Sequence, residues 1–294
     1  MRPTTNIYPA RTYHKLSLDT GSFNTASFRP WHNPAQDNFG IIHFRAPSTS
    51  YDILLGINAL DMADSTDLSL KCSLLSFADN SARLNLQSWG NTIQYSSGCS
   101  WLSVPADDPD FQSGRYYTID HQQWSKPQVS TRIVFKRSYP SPPKVVVWLD
   151  TIHTDANTNC RAHVYPSDVA TDGFTLHLDT WHDTKLHLAG ATWVAHSSDR
   201  TDIHSGSFCT EDVKTTAHPQ LENSARIAFN GANFSSSPRI FMALNKLDIG
   251  RQRNLRVSPV HASDVTNTGM TWHLNSWAET ELFSAGASFV AYEK

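Results

Sequence analysis

Three stretches of twelve residues decide the fold: SARLNLQSWGNT (81–92), GFTLHLDTWHDT (173–184) and GMTWHLNSWAET (269–280). In the second, Phe174, Leu176 and Leu178 alternate with Thr175, His177 and Asp179, the period-2 pattern of a strand with one buried face. The other two stretches keep that alternation, and all three end in Trp-x-x-Thr. Asp172-Gly173 and Thr268-Gly269 read as the turns that lead into two of them.

Outward from these stretches the same period persists. Trp89, Trp181 and Trp277 are 92 and 96 residues apart, and so are Trp101, Trp193 and Phe289. Gly21, Gly114 and Gly206 are 93 and 92 apart; Phe44, Phe135 and Phe229 are 91 and 94 apart. Four landmarks holding one period indicate three copies of one unit. The copies span 1–104, 113–196 and 205–294. The polar links Pro105–Gln112 and His196–Ser205 join them. Helical periodicity is nearly absent. About six short antiparallel strands in ~90 residues is the economy of a small β-sandwich. The run Val145-Val146-Val147 predicts a strand buried on both faces. Trp101, Trp193 and Phe289, deep in the last strand, are expected in the core.

Composition narrows the function. The 294 residues carry a net charge of −3 without a basic run, so a surface that tracks nucleic-acid phosphates is not expected. No apolar stretch approaches the roughly 20 residues of a membrane span. The N-terminus has no apolar h-region, which predicts a cytoplasmic protein or one released without a classical signal peptide. Cys72, Cys99, Cys160 and Cys209 lack CxxC spacing and read as free thiols, with Cys72–Cys99 the one pair to check. Asn233-Phe234-Ser235 is a lone glycosylation sequon. No HExxH, GxSxG, P-loop or Rossmann signature occurs, so an enzyme is not expected. No metal or cofactor is implied. His177, His182 and His187 could be read as a metal cluster, but the other copies do not repeat the triad, and surface histidines are the simpler reading.

Candidate binding residues come from the recurring hairpin. Trp89, Trp181 and Trp277 continue the polar phase of their strands, so each is expected to point away from the Leu/Phe/Met face. An exposed Trp offers a flat apolar face with a donor on its edge, which suits a sugar ring. Counting from Asp61, His153 and Asp248, gapless alignment places Ser69, Arg161 and Arg256 together. Arg provides a rigid fork of donors for hydroxyl oxygens. A third column, Tyr95, His187 and Phe283, is aromatic in every copy and reads equally as wall of a site or edge of a core. The early loops Trp31-His32-Asn33-Pro34 and Trp124-Ser125-Lys126-Pro127 also match each other.

The Gly-Ser-Phe opening, the Ile-x-Phe strand, Pro-Pro-Lys-Val-Val-Val, Asn-x-Leu-Asp, Asn-Leu-Arg-Val, Gly-Met-Thr-Trp-His and Trp-Ala-Glu-Thr together resemble the H-type lectin domain, of the agglutinin and discoidin C-terminal type. The resemblance runs from Gly21 onward, three times, and is strongest in the second and third copies. It implies six-stranded antiparallel β-sandwiches that trimerise, here as a pseudo-trimer within one chain. It also implies galactose or N-acetylgalactosamine bound at the seams by an Arg, a Trp, a His and a Tyr, with an acidic loop residue from the neighbour. Carried over, Arg161, Trp181, His182 and His187 would form the second repeat's site, and Arg256, Trp277 and Phe283 the third's. The first repeat keeps Trp89 and Tyr95 but has Ser69 for Arg and Gly90 for His, so its site is expected to be degenerate. Two competent sites, on a monomer or a higher oligomer, are therefore expected. A protein–protein module and, behind it, a glycoside hydrolase are the alternatives.

Overall fold

A computed structural model describes residues 16–45, 50–118 and 128–293. Among the described residues the chain is all-β, with only short 3-10 turns between strands. The first repeat has six strands: β1 (Asp19–Asn24), β2 (Phe39–His43), β3 (Tyr51–Met62), β4 (Leu68–Ala78), β5 (Ser81–Gln87) and β6 (Gln94–Pro105). The second has β7 (Phe111–Tyr117), β8 (Gln128–Val134), β9 (Lys144–Thr154), β10 (Cys160–Ala170), β11 (Gly173–Asp179) and β12 (Leu186–His196). The third has β13 (Ile203–Cys209), β14 (Ser224–Ala228), β15 (Arg239–Ile249), β16 (Leu255–Val257), β17 (His261–Thr266), β18 (Gly269–His273) and β19 (Leu282–Tyr292). Six strands per copy was expected. The third has a seventh because its fourth strand breaks around Pro259, which has no N–H to give a ladder.

The links are shorter than the sequence suggests, since β7 starts at Phe111 and β13 at Ile203. Apolar Phe111 and Ile203 are buried, and that burial pulls them into strands. The links also hold each other. Buried Arg200 pairs with Asp110 at 3.0 Å and Asp202 at 2.7 Å. Trp124–Pro127 lie outside the described residues.

With the broken fourth strand of the third repeat counted as one, each repeat puts its first, sixth and third strands in one sheet and its second, fifth and fourth in another, all antiparallel. The alternating apolar residues face inward between them, with Trp101, Trp193 and Phe289 buried as expected. A Cβ on Gly21 would lie 2.8 Å from the Trp101 ring, and one on Gly114 equally close to Trp193. The spacing of glycine and aromatic landmarks therefore records one contact: the ring packs on bare backbone.

The repeats share sheets. Strand β4 pairs with β9, β10 with β15, and β16 with β3. First joins second, second joins third, and third returns to first. Side-chain oxygens at one aligned position reinforce each junction: Asp67 accepts from Ala156 N at 2.8 Å, Asn159 from Arg251 N at 3.3 Å, and Asn254 from Asp64 N at 3.3 Å. Near these junctions the Arg251 guanidinium donates to Thr66 O at 2.8 Å and Asp155 O at 3.2 Å, so one third-repeat side chain bonds both other repeats.

A second apolar core lies where the repeats meet, built of Leu54, Val146, Trp148, Phe241, Ala243, Val290 and their neighbours. The run Val145–Val147 is buried on both faces for this reason. Val147 faces its own sandwich, and Val146 and Trp148 face this shared core.

His196, the last residue of β12, is buried with Nε2 2.7 Å from Ser205 Oγ. Desolvation holds its pKa down at about 4. The fold thus favours the neutral ring. That contribution is complete above the ordinary histidine value near 6.5 and is lost as pH falls towards 4. About 3 kcal/mol should disappear across this window. Denaturant melts between pH 7 and 4 should show the loss, and His196→Asn should flatten it. A profile unchanged by the substitution would assign the acid sensitivity elsewhere.

Candidate functional site

The three Trp-x-x-Thr hairpins share one construction. The Thr amide donates to the Trp carbonyl at 3.3–3.4 Å in each. Buried Thr92, Thr184 and Thr280 then donate through Oγ1 to the carbonyls of Asp67, Asn159 and Asn254, at 2.8, 2.6 and 2.8 Å. The Thr therefore recurs as a staple between the hairpin and the strand that begins the seam. The residue after each Trp is left-handed: Gly90 at φ 65°, His182 and Ala278 at φ 54°. Glycine suits that conformation, and a histidine there bears a backbone cost. No Trp of the hairpins enters a core. Trp89 and Trp181 are half-buried, and Trp277 is 37% exposed.

Register across the seams gives the decisive geometry. Arg161 stands opposite Asp248, Arg256 opposite Asp61, and Ser69 opposite His153. The guanidinium Nε lies 3.3 Å from the carboxylate in both charged seams, with each side chain mostly buried. The repeat that lacks the Arg thus faces the repeat that lacks the Asp. Burial raises the pKa of Asp248 and of Asp61, and the facing guanidinium opposes the shift. Because the Arg is present, the carboxylate can stay charged where water is scarce.

The seam of the second and third repeats is the most developed. Arg161 also reaches Asp183 at 2.7 Å and Thr184 Oγ1 at 3.2 Å, and Trp181 and Asp248 line the same cleft. Asn159, Arg161 and His182 from one repeat and Thr216, Ala217, Asp248 and Phe283 from the next line a pocket of about 230 Å³. At the seam of the third and first repeats, Arg256 lies over the Trp277 ring, 5.9 Å from its centroid. Glu279, in the place of Asp183, goes to Arg253 at 2.9 Å instead. At the seam of the first and second repeats, Ser69 turns back under the hairpin, donating to Trp89 O at 3.0 Å and accepting from Trp89 N at 2.8 Å. Trp89 meets His153 edge-on at 5.3 Å, and His153 lies 4.8 Å from His187.

The third aromatic column is regrouped by this geometry. Tyr95, His187 and Phe283 each occupy a bulge in the last strand of their repeat, beside Asp61, His153 and Asp248. Each therefore serves the seam before it. Phe283 joins Arg161 and His182; His187 reaches Trp89 through His153; Tyr95 lies on the Asp61 side of the Arg256 and Trp277 seam. Grouping each with the Arg and Trp of its own repeat is corrected accordingly. Asp248 and Asp61, which face the Arg residues, are strand residues; an acidic residue from a turn of the neighbouring repeat, Glu211 in Thr210–Asp212, also lies at the seam with Trp181 and His182. The sequence reading used Asp61 and Asp248 only as alignment marks, yet their Asp–His–Asp pattern, shifted by one repeat, matches Ser–Arg–Arg. His177, His182 and His187 do not converge, because His177 bonds Ser167 and His187 lies at another seam.

A family model described as the H-type lectin domain matches residues 130–196 and 224–292. These two stretches are H-type lectin domains. The match takes in the second and third repeats. Two solved structures are also similar: native recombinant discoidin II of Dictyostelium discoideum and wild-type discoidin II from the same organism. The first has 15% identity, covers 55% of this chain and 78% of that one, and has a TM-score of 0.28. The second has 16% identity, covers 53% and 75%, and has a TM-score of 0.27. A curated relative, "ATP synthase subunits region ORF 7" of Fuscovulum blasticum, is 30% identical over 70 residues. That match takes in 24% of this chain and 61% of the relative, so the chain spans less than two thirds of its length. The matched H-type lectin segments include Arg161, Trp181, His182, Arg256 and Trp277. All five therefore sit in lectin-domain sequence as well as at a seam.

Proposed function

We propose that the chain is a multivalent, non-catalytic lectin for terminal galactose or N-acetylgalactosamine, with repeats 1–104, 113–196 and 205–294 acting as an intramolecular trimer. The observation that carries this reading is the repeated seam of a mostly buried Arg–Asp pair beside a half-exposed Trp. The Trp face suits the C–H patch of a pyranose, and the guanidinium fork and carboxylate suit its hydroxyls. His182 and Phe283 complete the better formed site. Two seams carry the pair and the third carries Ser69 and His153. Each chain should therefore take up two sugars. Single-site affinity is weak, because hydroxyl–water bonds are exchanged for protein bonds at modest gain. Covalent linkage of the repeats compensates by engaging a glycan-rich surface at more than one point.

Calorimetric titration with N-acetylgalactosamine, galactose and glucose tests the proposal. Binding of the first two at two sites per chain, without response to glucose, is the expected result. Trp181→Ala should remove one site and leave the fold intact. Absence of any sugar response would sink the lectin reading for these ligands.

A further inference from the structure

Trp31 is the most exposed tryptophan among the described residues, at 63%. Its loop is nevertheless firmly held. Arg29, two residues earlier, ties that loop to the last strand of the first repeat. Nε donates to Asn38 Oδ1 at 2.5 Å, Nη1 to Asn33 O at 3.1 Å and Tyr95 O at 2.7 Å, and Nη2 to Gln94 O at 2.9 Å. The third repeat has the same clasp built with a lysine. Lys214 Nζ donates to Leu282 O at 2.9 Å and Phe283 O at 2.7 Å, and these residues are the counterparts of Gln94 and Tyr95. Two residues on from each clasp, Trp31 stands where the third repeat has Thr216. Thr216 lines the pocket at the seam of the second and third repeats, beside Arg161, Asp248 and Phe283.

Trp31 therefore belongs to the seam of the third and first repeats, and a chain of contacts leads there. Its ring meets Tyr95 at 6.1 Å, and Tyr95 sits in the bulge beside Asp61. Asp61 lies 3.3 Å from Arg256, and Arg256 lies over the Trp277 ring at 5.9 Å. The seam thus presents an exposed indole from each side, Trp277 from the third repeat and Trp31 from the first. We propose that Trp31 sets the specificity of this seam, which takes galactosides carrying an apolar group beside the sugar ring, while the seam with Thr216 does not select for that group. The inference rests on the lectin reading and adds to it a residue from outside the hairpin and its facing strand.

The chemistry of the indole decides the class of group. Its face offers dispersion and apolar area, and its one donor lies on the edge. Most of the Trp31 side chain is in water, so a ligand group that covers it removes apolar surface from solvent. Tyr95 and His32 meet the ring at 73° and 89°, so neither lies flat upon it. The Arg29 clasp fixes the loop before a ligand arrives, which leaves little ordering to be done on binding. Thr216 is shorter and brings a hydroxyl to the same place. Trp124, at the matching position of the second repeat, lies outside the described residues, and the seam it would serve has Ser69 in place of the Arg.

The test is calorimetry on the intact chain with methyl and 4-nitrophenyl galactosides of both anomers. For one anomer, one of the two sites should bind the nitrophenyl galactoside about fivefold more tightly than the methyl galactoside, and the other site should bind both alike. Arg256→Ala should remove the discriminating site, and Arg161→Ala should leave it. Trp31→Thr should cancel the gain, and Trp31→Phe should retain part of it. Thr216→Trp should confer a gain on the other site. A thermal melt of each variant confirms that the fold is kept. Equal affinity for methyl and nitrophenyl galactosides at both sites, a gain that survives Trp31→Thr, or a gain lost with Arg161 rather than Arg256 overturns the role of Trp31 and leaves the lectin reading standing. Silence towards every galactoside overturns both.

Discussion

Trp148→Ala is expected to cost about 3–5 kcal/mol, the range for emptying a fully buried aromatic site. Trp148 is fully buried in the core shared by the three repeats, tilted against Phe241 at 4.7 Å between ring centroids. Its indole N–H donates to Leu55 O at 2.9 Å, a bond from the second repeat to the first. Gly56 gives it room, since a Cβ there would run into the Trp148 ring and into Ala243. The substitution therefore opens a cavity where three repeats meet and removes an inter-repeat hydrogen bond. Trp148→Phe keeps most of the apolar volume and loses the N–H, so it should cost less, about 1–2 kcal/mol. Urea melts of the two variants check this. A loss below 1 kcal/mol for Trp148→Ala would mean that the shared core contributes little to holding the repeats together.

Arg161→Ala is expected to have the largest effect on binding. The side chain holds three partners in place: Asp248 of the next repeat, and Asp183 and Thr184 of the hairpin. Without it, Asp248 keeps a carboxylate in a poorly hydrated place with no cation, a cost of roughly 3 kcal/mol when such a pair is broken. The sugar stoichiometry should fall from two to one. Arg256→Ala should remove the other site, and the double variant should bind nothing. Arg161→Lys keeps the charge without the planar fork and should restore stability more than binding. Titration with N-acetylgalactosamine beside a thermal melt separates the two effects. Two full-strength sites in Arg161→Ala would remove this residue from the binding surface.

Much of this molecule is legible in one dimension. Period-2 alternation gives the strands, because a two-faced sheet with one dry side allows little else. The spacing of Gly114 and Trp193, or Gly21 and Trp101, gives the copies, because each ring needs bare backbone beneath it. The polar phase that carries Trp181 and Trp277 out of the core could be counted along the strand. The doubly buried Val145–Val147 run was visible too, though not what covers its second face.

Other features depend on how the copies meet. The sequence places His187 six residues after Trp181 and Phe283 six after Trp277, which invites grouping them within a repeat. The seam pairs the fourth strand of one copy with the third strand of the next, so a site draws its Arg and Trp from one repeat and its acid and third ring from another. Nothing local marks that exchange, because inter-repeat hydrogen bonds use backbone groups that every residue has. The same holds for Asp248: alone it is an ordinary strand polar residue, and only the facing Arg161 gives it a role. The sequence by itself determined the strands, the copies and the chemistry each copy can offer. The tertiary structure decided which copy offers it to which, since strand pairing across a seam joins residues far apart in the chain, such as Arg161 with Asp248 and Arg256 with Asp61.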